Sequence, residues 1–141
     1  MASLVYNSFV EDLNEGNVVP GVDTFRAMLV TSSYTPNKDT HTRRSDVTNE
    51  VVGAGYASGG AVVTVTVVPD LVNDLTTLTF TNPDWPASTI TARACVVYKA
   101  RGGLASADEL VAYGDIGADV SSAGTTFTLT FNSGIVFDNT G

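Results

Sequence analysis

The chain has 141 residues, enough for one packed domain and too few for two to be expected. Thr, Val, Ala and Gly are abundant and only 16% of residues are charged, a balance that excludes a coiled coil or a disordered tail. Fifteen acidic against seven basic residues give a formal charge of −8, so neither nucleic acid nor an anionic membrane is expected as a partner.

The opening stretch, "MASLVYNSFVEDLNEG", lacks a basic region, so no secretory leader is expected. Leu4 or Val5, Phe9 and Leu13 recur at helical spacing, which predicts a short amphipathic helix over 4–15 stopped by Gly16. We take 1–23 as an N-terminal arm and 24–141 as a single β-sandwich domain. Residues 24–33, "TFRAMLVTSS", predict a strong strand with Phe25, Ala27 and Leu29 on one face. The polar stretch 34–50, "YTPNKDTHTRRSDVTNE", predicts a long loop holding one helical turn or two.

"VVGAGYASGGAVVTVTVV", residues 51–68, has the texture of a glycine-rich nucleotide loop. Gly53 and Gly55 fit the first two places of G-x-G-x-x-G, but the third falls on Ser58. The segment after the glycines, "AVVTVTVV", is β-branched rather than helical, so no helix N-terminus is presented to a phosphate. The stretch predicts a turn or bulge feeding a strand over 61–68.

A strand is predicted over 75–82, "LTTLTFTN", and a turn at "NPDWPAS", where prolines flank Trp85. "STITARACVVYKA", 88–100, predicts a strand with Ile90, Ala92, Ala94, Val96 and Tyr98 on one face. "RGGLASADE" is a loop, and 110–116 another short strand. "TTFTLTFNSGIVFDN" predicts a hairpin turning at 132–134, with Phe127, Leu129 and Phe131 packed against the Ile90–Val96 face. Seven or eight strands without intervening long helices predict an all-β, antiparallel sandwich, jelly roll or immunoglobulin-like, of which we take the jelly roll. No apolar run approaches 18 residues, so no membrane-spanning helix is expected.

Residues for chemistry are sparse. His41 is the sole histidine, so any Ser-His-Asp or Cys-His arrangement must use it, and it lies in the most polar loop. Cys95 is the sole cysteine, which rules out an intrachain disulfide; its flanks place it in a strand as a buried thiol. One His and one Cys are too few for an ordinary zinc site, and no D-x-[DN]-x-[DN]-G calcium loop or G-x-S-x-G elbow is present. Asp84 beside Trp85 is the one pairing suggestive of a sugar site; against it stands a tryptophan capping the core between Pro83 and Pro86. No catalytic residue, metal or cofactor is expected, and the chain is not expected to be an enzyme.

One stretch is specialised. Lys38, Arg43 and Arg44 fall together with His41, and over 36–46 three basic minus two acidic residues (Asp39, Asp46) give +1, leaving −9 for the remainder. A basic loop on an acidic body suits docking on an acidic partner, with Lys38, His41, Arg43 and Arg44 as the contact residues. A solvated loop whose charges pair internally accounts for the same composition, and both readings stand.

"TFRAMLVTSSYTPNKDTHTRRSDVTNEVVGAGYASGGA", with the later "STITARACVVYK" and "GTTFTLTFNSGIV", resembles the cement (decoration) proteins of short-tailed bacteriophages, small structural proteins encoded beside the major capsid protein. The resemblance runs from about 24 to 137 and rests on extended texture rather than a catalytic motif. It implies a jelly-roll subunit on the outer surface of the capsid, in many copies, clamping neighbouring capsid proteins after synthesis in the bacterial cytoplasm. The partners expected are the major capsid protein and further copies of the chain, a homodimer rather than a trimer. Two other roles compete: a tail or head-fibre component of the virion, and a carbohydrate-binding sandwich using Trp85.

Overall fold

The computed structural model describes residues 2–140. Two apolar runs organise it. "FRAMLV" forms β2 (Phe25–Val30) and "TARACVVYK" forms β7 (Thr91–Lys99), paired antiparallel with Ala27 opposite Val97 and Leu29 opposite Cys95. Successive apolar side chains put hydrophobic surface on both faces of a strand, so both faces must be covered. Around this pair lie β8 (Leu110–Ser121), β1 (Ala2–Val5) and β3 (Ala61–Val63), giving a five-stranded sheet of order β1-β8-β7-β2-β3.

The inner face is covered by a second antiparallel sheet of β4 (Val65–Asp70), β5 (Leu75–Phe80) and β10 (Ile135–Asp138), in the order β10-β5-β4. Beside it runs a separate pair, β6 (Asp84–Ser88) with β9 (Thr125–Thr128). Phe25, Leu29, Val97, Leu78, Trp85 and Phe127 are among the side chains buried between these layers. The outer face of the five-stranded sheet carries a second core of Met28, Val30, Ala94, Val96, Tyr98 and Leu110. No sheet covers it. Tyr34 and Val47, from the polar loop, pack there instead, with Tyr6.

The antiparallel all-β sandwich expected from sequence is therefore what forms. Its strands divide five, three and two, whereas a jelly roll has eight strands in two Greek keys. Several elements differ from the sequence reading for identifiable reasons. The expected N-terminal helix forms as α1 (Asn7–Glu15) and stops at Gly16, but residues 2–5, placed within an arm or that helix, are the edge strand β1, and Tyr6 and Phe9 are fully buried. The run 61–68 breaks at Thr64, where the chain passes from one sheet to the other. There the Thr64 and Thr81 segments exchange hydrogen bonds of 2.9 and 3.1 Å.

The "NPDWPAS" stretch is strand β6, not a turn. Pro86 falls in the irregularity between Trp85 and Ser88, where the ladder with β9 is interrupted and a missing N–H is tolerated. The expected hairpin over 125–139 is also absent: β9 pairs with β6 while β10 pairs with β5, and Phe131 between them packs on Phe80 at 5.2 Å. The strand expected over 110–116 runs on to Ser121.

The most consequential difference lies in β7. Between Ala92 and Ala94 the pairing advances two residues on β7 but five on β8, from Val120 to Asp115. Such an irregularity exchanges the faces of everything beyond it. Ile90 and Ala92 thus point into the inner core with Cys95 and Val97, while Ala94, Val96 and Tyr98 point to the outer one. Phe127 and Leu129 pack with the first set, not with the whole Ile90–Val96 face expected.

Leu129 is almost fully buried in the inner core. Leu129→Ala is expected to cost about 2–5 kcal/mol, because the cavity adds to the lost burial. Equilibrium urea unfolding of the full chain measures this as a lowered midpoint with an unchanged slope.

Candidate functional site

The polar loop and the glycine turn after it form one built structure on the outer core. Asn37 opens it: its side-chain oxygen accepts the N–H groups of Asp39 (3.0 Å) and Thr40 (3.2 Å), and its carbonyl accepts that of His41 (3.0 Å). Asp46 closes the next bend by accepting from Thr42 N–H at 2.9 Å and Arg43 N–H at 3.1 Å. The single helical turn of the loop is a 3-10 turn, Arg44–Asp46.

His41 is tied inward. Its Nδ1 lies 2.9 Å from Tyr34 Oη and accepts the Asn37 N–H at 3.2 Å, and its ring stacks on Tyr34. Because Nδ1 is an acceptor here, Tyr34 donates to it, and Tyr6 Oη, 2.9 Å away, donates in turn to Tyr34. Burial, with the bond to Tyr34, pushes the Tyr6 hydroxyl far above its ordinary value, so Tyr6 stays protonated.

The three cations of the loop are paired within the chain. Lys38 meets Asp39 at 2.8 Å on the exposed surface, and Arg43 lies 3.9 Å from the buried Asp12 of α1. Arg44 is structural: its Nε donates to Asp108 Oδ2 at 2.8 Å, its guanidinium sits 5.1 Å over the Tyr98 ring, and its N–H donates to the Asp108 carbonyl at 2.9 Å. Asp108 is only 3% exposed at its side chain. Of the two readings of this loop, internal pairing accounts for Arg44 completely and leaves Lys38 as its most exposed cation. Each of Lys38, His41, Arg43 and Arg44 thus has a partner within the chain, and Lys38 and Arg43 keep side-chain exposures of 53% and 37%.

The glycine turn answers the nucleotide resemblance. Its anion is the chain's own Glu50, which accepts from Tyr56 Oη (2.7 Å), Ser58 Oγ (3.0 Å) and Gly59 N–H (2.7 Å). The carbonyls of Gly59 and Gly60 are taken by Tyr98 Oη at 2.5 Å and Arg26 Nη2 at 2.6 Å. Gly60 has φ 78° and lies so close to the Ala27 carbonyl that a side chain there would collide with backbone. Gly55, at φ 79°, packs against the backbone of Ser88 in the same way. These glycines admit neighbouring strands, not a phosphate.

The remaining candidates are equally engaged. Trp85 is buried between Tyr56 (5.8 Å) and Phe127 (6.1 Å), so it offers no face on which a sugar could stack; the carbohydrate site drawn on it is not formed. Asp84 accepts from Thr128 Oγ1 across the β6–β9 pair. Burial pushes the Cys95 thiol up to about 12, which leaves it unreactive at neutral pH. Among the described residues no three His, Cys, Asp or Glu side chains are grouped to hold a metal. An apolar cleft of about 200 Å³ opens between β1 and β10, lined by Val5, Val97, Ala112, Phe131 and Ile135.

Sequence reasoning missed Glu50, Asp108 and Glu109. Glu50 had a usable signal, a carboxylate just before a glycine-rich turn; Asp108 and Glu109 sit in "ASADEL", which has the composition of solvated loop. No family model, no curated protein and no solved structure matches this chain.

The loop's ion pairs and caps differ in how much they hold. Arg44→Ala strands the buried Asp108 carboxylate and is expected to destabilise the fold by about 3–5 kcal/mol, whereas Lys38→Ala should change it by less than about 1 kcal/mol; thermal and urea unfolding compare the two. The Thr42 N–H, with the Arg43 N–H, holds the Asp46 carboxyl below its ordinary value of 3.8. A carboxyl lowered in the folded state stabilises above its unfolded value, and that contribution is lost as pH falls through the lowered one. Asp46→Ala should therefore cost roughly 1 kcal/mol at pH 7, an amount typical of a lost cap, and the difference from wild type should shrink below pH of about 4. A stability–pH profile of both proteins measures it.

Proposed function

We propose that this chain is a structural component of a tailed-phage virion that binds the outside of the head and holds neighbouring copies of the major capsid protein together. The observation that carries the reading is the placement of exposed aliphatic side chains. Val68 and Val136, on the outer face of the three-stranded sheet, and Leu71 and Val72, on the β4–β5 connection, are all exposed. Soluble proteins seldom leave such a group of large apolar side chains in water unless another macromolecule covers it.

Two further features support it. The resemblance to phage cement proteins extends from about 24 to 137 and includes both strands of the central pair. The two-sided core and braced loops make a stiff body, which suits a protein that must bridge neighbours without changing shape.

The test is attachment to heads. Heads of the encoding phage that lack this chain should take up the purified protein to a fixed saturating ratio and gain resistance to heat and to low ionic strength. Absence of the chain from purified virions, together with no uptake by such heads, is the result that refutes the proposal.

A further inference from the structure

We infer that the β4–β5 tip, Leu71 and Val72 framed by Asp70, Asp74 and Asp138, is the docking element, and that its partner is a protein surface with an apolar depression rimmed by Lys or Arg. The inference rests on the virion reading for the identity of that partner, and on the geometry and charge of the tip for its chemistry.

Leu71 is 87% and Val72 91% exposed, side by side where the chain turns between β4 and β5. The turn is not loose. Asp70 accepts the N–H groups of Val72 (3.1 Å) and Asn73 (3.2 Å) and the Asn73 side-chain amide (2.8 Å). An apolar pair held outward on a built turn loses little freedom on docking, so most of its burial is available to binding.

The charge around the tip has one sign. Asp70 and Asp138 flank Leu75 from the two neighbouring strands, and Asp74 precedes it, its carbonyl accepting the Asn139 N–H at 2.8 Å. The Asn73 amides hold the Asp70 carboxyl below its ordinary range and the Thr140 hydroxyl and N–H do the same for Asp138, so both are charged at neutral pH. Among the described residues none of the three stands in an ion pair.

That sign also selects among occupants. Six of the seven Lys and Arg side chains are held in ion pairs elsewhere in the chain, and Arg26 donates to Gly59 and Gly60 carbonyls. A second copy carries the same net charge of −8 and offers only cations already engaged with its own carboxylates, so it is the poorer complement, and an anionic membrane or nucleic acid repels the tip. A basic-rimmed apolar pocket on a different protein complements both features.

Heads lacking the chain provide the assay. Leu71→Ser with Val72→Ser, which disturbs no packed contact, should lower retention by about tenfold or more without shifting the melting temperature. Val52→Ser with Leu104→Ser, equally exposed side chains away from the tip, should leave retention unchanged. Asp74→Asn with Asp138→Asn leaves Asp70 and the three hydrogen bonds it accepts in place, and should slow attachment and flatten its salt dependence. Retention of the Leu71/Val72 variant at the wild-type level overturns the inference while leaving the virion reading intact; failure of the wild type to bind heads overturns both. Self-association by sedimentation that the tip variant abolishes, or tip-dependent binding to phosphatidylcholine vesicles, assigns the tip to another occupant and also overturns it.

Discussion

The pairing of β2 with β7 is the constraint on which the rest of the structure depends. Both strands carry apolar side chains on both faces, so the five-stranded sheet they anchor cannot leave either side in water. A second sheet serves one side. On the other, among the described residues, there is no sheet or long helix, and the 34–50 loop packs there instead. The length and polarity of that loop then have a structural cause. It lays Tyr34 and Val47 on the outer core while its backbone, too irregular to form a ladder, is held in part by Asn37 and Asp46.

The same requirement explains how charge is distributed. A loop serving as a cover must be fixed to what it covers, and the fixing is ionic: Arg44 reaches Asp108 across the outer face, and Arg101 holds Glu109 one residue further on. Arg93 and Asp115 brace β7 to β8, and Lys99 reaches Asp23 in the connection before β2. With the cations drawn into these internal roles, the outward-facing charge is chiefly carboxylate. Like-charged bodies stay apart at high concentration, which matters for any protein made in many copies.

Much of this was legible in the residues. β-branched runs and alternating threonines located β2, β3–β4, β5, β7 and β9 and the sandwich they form. The features that were not legible depend on partners distant in sequence. Alternation in 88–100 assigns faces correctly up to Ala92 and wrongly after it, because the shift there arises in the pairing with β8. Trp85 between two prolines has the local chemistry of a turn, and only Phe127, brought opposite it, makes a strand. The loop's cations were visible as a cluster, yet the carboxylate that fixes Arg44 lies 64 positions away.

The edge strand β1 has a consequence for the order in which the fold is completed. Ala2 lies opposite Asp115 and Val5 opposite Ala112, so the ladder partner of this strand is synthesised after every strand from β2 to β7. β2 likewise waits for β7 on one edge, and its pairing with β3 on the other covers only Phe25 to Ala27. During translation the early strands must therefore remain without these partners, with apolar surface exposed, until most of the chain has emerged. Closing such long loops costs chain entropy that the local β4–β5 and β7–β8 pairings do not offset for β1 and β2, which slows completion of the five-stranded sheet. The delay falls on the newly made protein, where a β2 still lacking β7 is open to pairing with another copy.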